Sequence, residues 1–231
     1  MRPIRRVWIT RAQPGAARTA ARLTTLGFTP VVAPLLTLRP LPEALGAAPD
    51  FATVAALAFT SPNGVAAFAA LTPLLRALPV FAVGDATAEA ARDAGFADAR
   101  SAAGDIHALA RLIAASPVQG LILAPGAREP AGDLPALLPD RQVLRLPVYA
   151  AEETDAAAPA DFDAVLIHSP RAARALAAIL TPDAAADRLA VCISAAAAAP
   201  LAAFSFTEIR TAGAPDETSL LTALGKSAGP V

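Results

Sequence analysis

The chain has 231 residues, enough for one large domain or two small ones, and 55% of them are hydrophobic, so a sizeable core is easily supplied. Its formal net charge of −1 argues against a generic nucleic-acid binder, which carries a basic excess. A single cysteine (Cys192) excludes an internal disulfide and a thiolate zinc cluster, two histidines (His107 and His168) are too few for a histidine-rich metal site, and one lysine near the terminus (Lys226) argues against Schiff-base chemistry and a lysine-bearing phosphate loop, while carboxylate-only sites stay open.

Met1 to Arg6 passes directly into a strand-like run at 7–10, without the apolar stretch and small-residue cleavage site of a secretory signal. Residues 14–26 then read as a helix that stops at Gly27, and 29–36 as extended chain punctuated by prolines. A strand at 54–59 leads to a helix at 62–71; a strand at 80–83 breaks at Gly84 and leads to a helix at 86–94. A helix at 106–115 and strands at 121–124 and 143–149 follow. Residues 155–161, rich in alanine and aspartate and broken by Pro159, read as exposed loop. The tail keeps the rhythm: strand 164–168, helix 170–180, strand 189–193, helix 195–203, strand 208–211 and helix 216–224. Its most apolar run, 189–204, carries Ser194 and Pro200 and falls short of the roughly 20 residues of a membrane span. Strand–helix alternation with short connections predicts an α/β protein, parallel sheets covered by helices. The expected setting is the cytoplasm, with neither nucleic acid nor membrane as partner.

The chain also repeats itself at a spacing of about 110 residues. Phe59-Thr60-Ser61-Pro62 resembles Ile167-His168-Ser169-Pro170, Val83-Gly84-Asp85-Ala86 resembles Ile193-Ser194-Ala195-Ala196, and Trp8-Ile9-Thr10-Arg11 resembles Ile122-Leu123-Ala124-Pro125. Two related α/β halves follow, with 31–40 and 144–150 as extended segments passing between them.

Ligands of open parallel sheets bind outside the carboxyl ends of the strands. The candidates there are Thr10 and Arg11, Thr60 and Ser61, Gly84 to Thr87, Gly126 to Arg128, Ser169 and Ser194. Turns of this kind present free backbone N–H groups and the positive end of a helix dipole, which suit carboxylates or phosphates. Ser61-Pro62 and Ser169-Pro170 fit an N-cap serine with proline at the first helical position, and each serine either only caps its helix or also meets a ligand. Gly84-Asp85-Ala86-Thr87 lacks the dinucleotide glycine fingerprint and reads equally as a tight turn. His168 beside Ser169 has the makings of a nucleophile and base, but neighbours along a strand point to opposite faces, and the histidine reads as incidental. Arg11, Arg128 and Arg171 follow strands and either pair with ligand carboxylates or lie on the surface. Tyr149 ends an extended apolar run, where it either buries its ring or donates a proton.

These residues resemble the uroporphyrinogen-III synthases. Thr10-Arg11 with Pro14, Leu26-Gly27-Phe28 and Val32-Ala33-Pro34-Leu35 are similar to that family's opening. Phe59 to Val65 and Val83 to Ala88 resemble its two best-kept motifs, and Val148-Tyr149, Asp163 to Pro170, Cys192-Ile193-Ser194 and Pro215 to Leu221 continue the match in order. The resemblance implies two flavodoxin-like parallel-sheet domains joined by a two-stranded linker, with the active site in an inter-domain cleft. The first domain would comprise residues 1–36 and 151–231, the second 37–150. It implies a cofactor-free lyase, a hydro-lyase acting as a monomer in porphyrin and haem biosynthesis, that closes hydroxymethylbilane to uroporphyrinogen III with loss of water and inversion of ring D. By resemblance Tyr149 assists the leaving hydroxyl, and Thr10, Arg11, Ser61, Gly84, Thr87, Arg128, Ser169 and Ser194 hold the substrate. Ser194-Ala195-Ala196-Ala197 stands where many relatives carry Gly-Pro and a threonine, so no catalytic residue is carried to that turn. The alternative to an enzyme is a two-domain sensor that closes around a small molecule.

Overall fold

The computed structural model describes residues 4–227. The chain divides into two compact units, Met1–Leu38 with Glu152–Val231, and Arg39–Ala151. It leaves the first unit within β3 (Leu36–Pro40) and returns within β8 (Val143–Glu153), and these strands are hydrogen-bonded neighbours.

The first unit holds β1 (Arg6–Ile9), α1 (Gly15–Thr25) and β2 (Thr29–Val32), then β9 (Ala164–Ile167), α5 (Pro170–Ile179), α6 (Pro182–Ala185), β10 (Leu189–Cys192), α7 (Ala195–Ala198), β11 (Glu208–Thr211) and α8 (Glu217–Leu224). Its sheet runs β11-β10-β9-β1-β2, with every recorded pairing parallel. Helices cover both faces, so both sets of alternating side chains are apolar. Val7, Ile9, Leu166 and Val191 pack with Ala16, Leu23, Leu220 and Leu224. Trp8, Val165, Ile167 and Cys192 pack with Phe162, Leu176 and Leu201 on the other side.

The second unit holds β4 (Val54–Phe59), α2 (Pro62–Leu71), β5 (Pro79–Ala82), α3 (Asp85–Asp93), β6 (Asp98–Ser101), α4 (Ile106–Ala114) and β7 (Leu121–Ala127), and its sheet runs β3-β8-β7-β4-β5-β6. Ala58, Phe81 and Ile122 pack with Leu109, Ile113, Leu134 and Leu138. Gly64 brings α2 hard against β7, where an added Cβ would lie 2.9 Å from the Pro125 carbonyl oxygen.

Two expectations need correction, and one strand was not anticipated. The helix expected at 195–203 ends at Ala198 and continues only as a 3₁₀ turn over Ala199–Leu201, because Pro200 has no N–H to give and its ring crowds the preceding turn. Residues 98–101, which carry no apolar run, form the edge strand β6. The loop at 155–161 is not fully exposed, since Ala156 and Ala158 pack on the core beneath.

Candidate functional site at the sheet carboxyl edges

Each sheet has a point beside which successive connections run in opposite directions, and the crevice there is where an open α/β sheet receives ligands. In the first unit it lies between β1 and β9, whose carboxyl ends deliver Thr10-Arg11 and His168-Ser169. In the second it lies between β7 and β4, which deliver Gly126 to Arg128 and Thr60-Ser61.

In the second unit Ser61 has an extended backbone and caps α2, its Oγ accepting the Gly64 N–H at 3.2 Å. The same Oγ lies 3.4 Å from the Tyr149 hydroxyl. Tyr149 comes from β8 and is buried, and its carbonyl accepts the Arg128 N–H at 2.8 Å, which ties the tyrosine to the end of β7. Burial raises the Tyr149 pKa and outweighs the opposing hydrogen bond with Ser61, so the phenol keeps its proton at neutral pH. The Arg128 side chain is half exposed and reaches Glu43 at 3.5 Å. Arg145 donates to the Arg128 carbonyl at 3.1 Å. Gly84 caps α3 on the adjacent strand β5, and Thr87 is buried in that helix's first turn. A small open pocket is lined by Thr60, Gly126, Ala127, Leu134 and Arg145, among others. Neither Ser61 nor Tyr149 lines it, so the pocket and the tyrosine are separate features.

In the first unit the residues form a denser network. Thr10 is wholly buried and its hydroxyl is spent on the Leu166 carbonyl at 2.7 Å. Arg11 Nη1 donates to Glu217 Oε2 at 2.9 Å and reaches Thr19 Oγ1 at 3.5 Å. Thr19 donates to Glu217 Oε1 at 2.6 Å, and His168 Nε2 lies 3.0 Å from Glu217 Oε2. A carboxylate only accepts, which assigns the imidazole proton to Nε2 and leaves Nδ1 a bare lone pair. Among the described residues that buried Nδ1 has no partner. Burial lowers the His168 pKa more than Glu217 raises it, so the ring is neutral at pH 7. For Glu217 burial pushes the pKa up, but the bonds from His168 and Thr19 and the nearby positive charge together bring it down to about 2. Ser169 caps α5 through the Ala172 N–H, and Ser194 caps the short α7 through Ala197.

Thr10, Arg11 and Ser169 thus share one sheet edge, Ser61, Gly84, Thr87, Arg128 and Tyr149 the other, and Ser194 stands at the end of β10. The sequence reading missed Glu217 and Thr19 and set His168 aside; Glu217 and His168 lie in stretches that carry the family resemblance, but their pairing forms only when α1 and α8 fold onto one strand edge. Among the described residues no group of three or more His, Cys, Asp or Glu is placed to hold a metal ion. No helix among them is long and apolar enough to cross a membrane.

The family model described as uroporphyrinogen-III synthase HemD matches residues 17–222. A comparison with curated proteins finds no significant match. Among solved structures, uroporphyrinogen-III synthetase from Helicobacter pylori is 18% identical with a TM-score of 0.64, over 95% of this chain and 97% of that one. A mutant uroporphyrinogen III synthase from the extremely thermophilic bacterium Thermus thermophilus is 18% identical with a TM-score of 0.54, over the same shares. At that identity the likeness speaks for the fold.

Proposed function

The chain belongs to the uroporphyrinogen-III synthase family, and on that premise we propose that it closes hydroxymethylbilane to uroporphyrinogen III as a lyase that needs no cofactor. The observation that carries the reading is the family match over residues 17–222, a span that includes Ser61, Gly84, Thr87, Arg128, Tyr149, Ser169 and Ser194 and leaves out Thr10 and Arg11. The substrate bears a carboxylate on every acetate and propionate arm, and the proposed holders are Arg11, Ser169 and Ser194 from one unit and Ser61, Gly84, Thr87 and Arg128 from the other. Thr10, expected as a holder, is left out, because its wholly buried hydroxyl is engaged with the Leu166 carbonyl. The finer architecture of the reading is two flavodoxin-like domains, 1–36 with 151–231 and 37–150, joined by a two-stranded linker, in a monomeric cytoplasmic enzyme.

Little acid strength is required. The pyrrole nitrogen expels the hydroxyl as the terminal C–O bond breaks, and a protonated Tyr149 supplies a hydrogen bond to the departing oxygen. Full proton transfer is disfavoured because burial opposes the tyrosinate. Attack at the substituted carbon of the last ring forms the spiro intermediate, and rearrangement inverts that ring. The proton lost on closure neutralises the hydroxide to water. Holding the chain for the wrong-way attack is catalysis by orientation. The test is to supply hydroxymethylbilane without metal or nucleotide and identify the product. Type III isomer is expected, whereas an unchanged spontaneous type I product overturns the reading.

A further inference from the structure

The cluster around Glu217 does more than neutralise charge. Arg11 uses Nη1 for Glu217 and Thr19. Among the described residues its Nε and Nη2 hydrogens meet no acceptor, and the Arg11 side chain is about a quarter exposed. The Nε–Nη2 edge is the one a carboxylate grips with two parallel bonds. That edge has a fixed place. The guanidinium lies where a side chain on Gly15 would be: an added Cβ would overlap Nε and stand 2.7 Å from Cζ and 2.8 Å from Nη2. Three groups from three parts of the fold hold it there. Thr19 of α1 and His168 beyond β9 orient the Glu217 carboxylate, and Glu217 at the first turn of α8 holds Nη1. His168 gives up any partner at Nδ1 to keep its proton on Glu217.

We propose that Glu217 is a positioning residue, which together with Gly15 turns Arg11 so that its Nε–Nη2 edge stands ready for one carboxylate arm of the substrate. The ligand class rests on the family reading above; the geometry rests on the cluster alone. Restraining Arg11 in advance removes the ordering cost that a free arginine would bear on binding.

Two variants test this, each read by KM and kcat for hydroxymethylbilane and by the dissociation constant for uroporphyrin III, which keeps the carboxylate arms and needs no turnover. Glu217→Gln removes the charge that holds Nη1. Gly15→Ala displaces the guanidinium, the mobile end of a long side chain, while alanine suits the helix better than glycine. Both should raise KM and the dissociation constant about tenfold, the loss of one charge-assisted contact, with kcat within about twofold. Gly15→Ala should do so with a smaller drop in melting temperature than Glu217→Gln, because it leaves the His168 and Thr19 bonds to the carboxylate in place, and a merely structural role would make affinity follow stability. Unchanged KM and affinity in Gly15→Ala overturn the proposal. Tighter binding in Glu217→Gln also overturns it, by making Glu217 a competitor for Arg11. If the wild type yields no type III isomer yet the variants bind uroporphyrin more weakly, the family reading fails and the positioning role stands.

Discussion

At the level of single residues, two buried groups with opposite tasks stand out. Tyr149 stays protonated because burial disfavours its anion, which suits a hydrogen-bond donor. Glu217 stays ionised despite its burial because three donors converge on it. This gives the stability a defined acid limb. Glu217 has a folded pKa of about 2 against an ordinary 4.5, so its contribution is fully present above about pH 4.5 and is lost as pH falls through 2. A shift of that size corresponds to something on the order of 3 kcal/mol. His168 has its folded pKa lowered from 6.5, so resistance to its protonation begins to cost stability as pH drops below that value. Urea midpoints measured from pH 7 to 3 should decline gently below 6.5 and steeply below 4.5, and Glu217→Gln should remove the steep part. A variant with the wild-type acid limb would show that the carboxylate is not held as described. None of this was legible in the chain. His168 and Glu217 are 49 positions apart, and strand alternation alone made the histidine look incidental.

Among the elements, the most legible were those with a local physical signal. Ser61-Pro62 and Ser169-Pro170 announce helix starts, and both serines adopt extended backbones with Oγ accepting the N–H three residues on. Strand 54–59 and helix 62–71 coincide with β4 and α2 because an apolar run, an N-cap and a proline mark their bounds. β6 was missed because Asp98-Ala99-Arg100-Ser101 is an edge strand whose side chains need not alternate with a core. The alanine run after Ser194 looked like a longer helix, since alanine favours helix wherever proline does not intervene. The close approach of α2 to β7 carries its own prediction. Gly64→Ala would press a Cβ against the Pro125 carbonyl, a backbone atom that cannot swing aside, and should destabilise the protein by about 1–3 kcal/mol. Gly46→Ala, with nothing within 4 Å, is the control and should be close to neutral. Equal melting temperatures for the two variants would refute the tight packing.

Across the whole molecule, the repeat seen in the sequence has a counterpart in strand order. β4, β5, β7 and β8 occupy in one sheet the places that β9, β10, β1 and β2 occupy in the other. The alternation predicted parallel α/β layers, but neighbour relations between strands depend on long-range pairing that no local pattern encodes. The residues with proposed roles follow the same equivalence: Arg11 and Tyr149 stand at, or one strand from, the corresponding edge of their own sheets. On the proposed function, orientation by these edges, rather than acid strength, decides which isomer forms. The measurement closest to that claim is the isomer composition of the uroporphyrinogen made from hydroxymethylbilane by the wild type and by Tyr149→Phe, side by side. Type III should dominate with both proteins, with the variant slower by at most about 10²-fold. Type I from the wild type, or a switch to type I on removing the tyrosine hydroxyl, would contradict it.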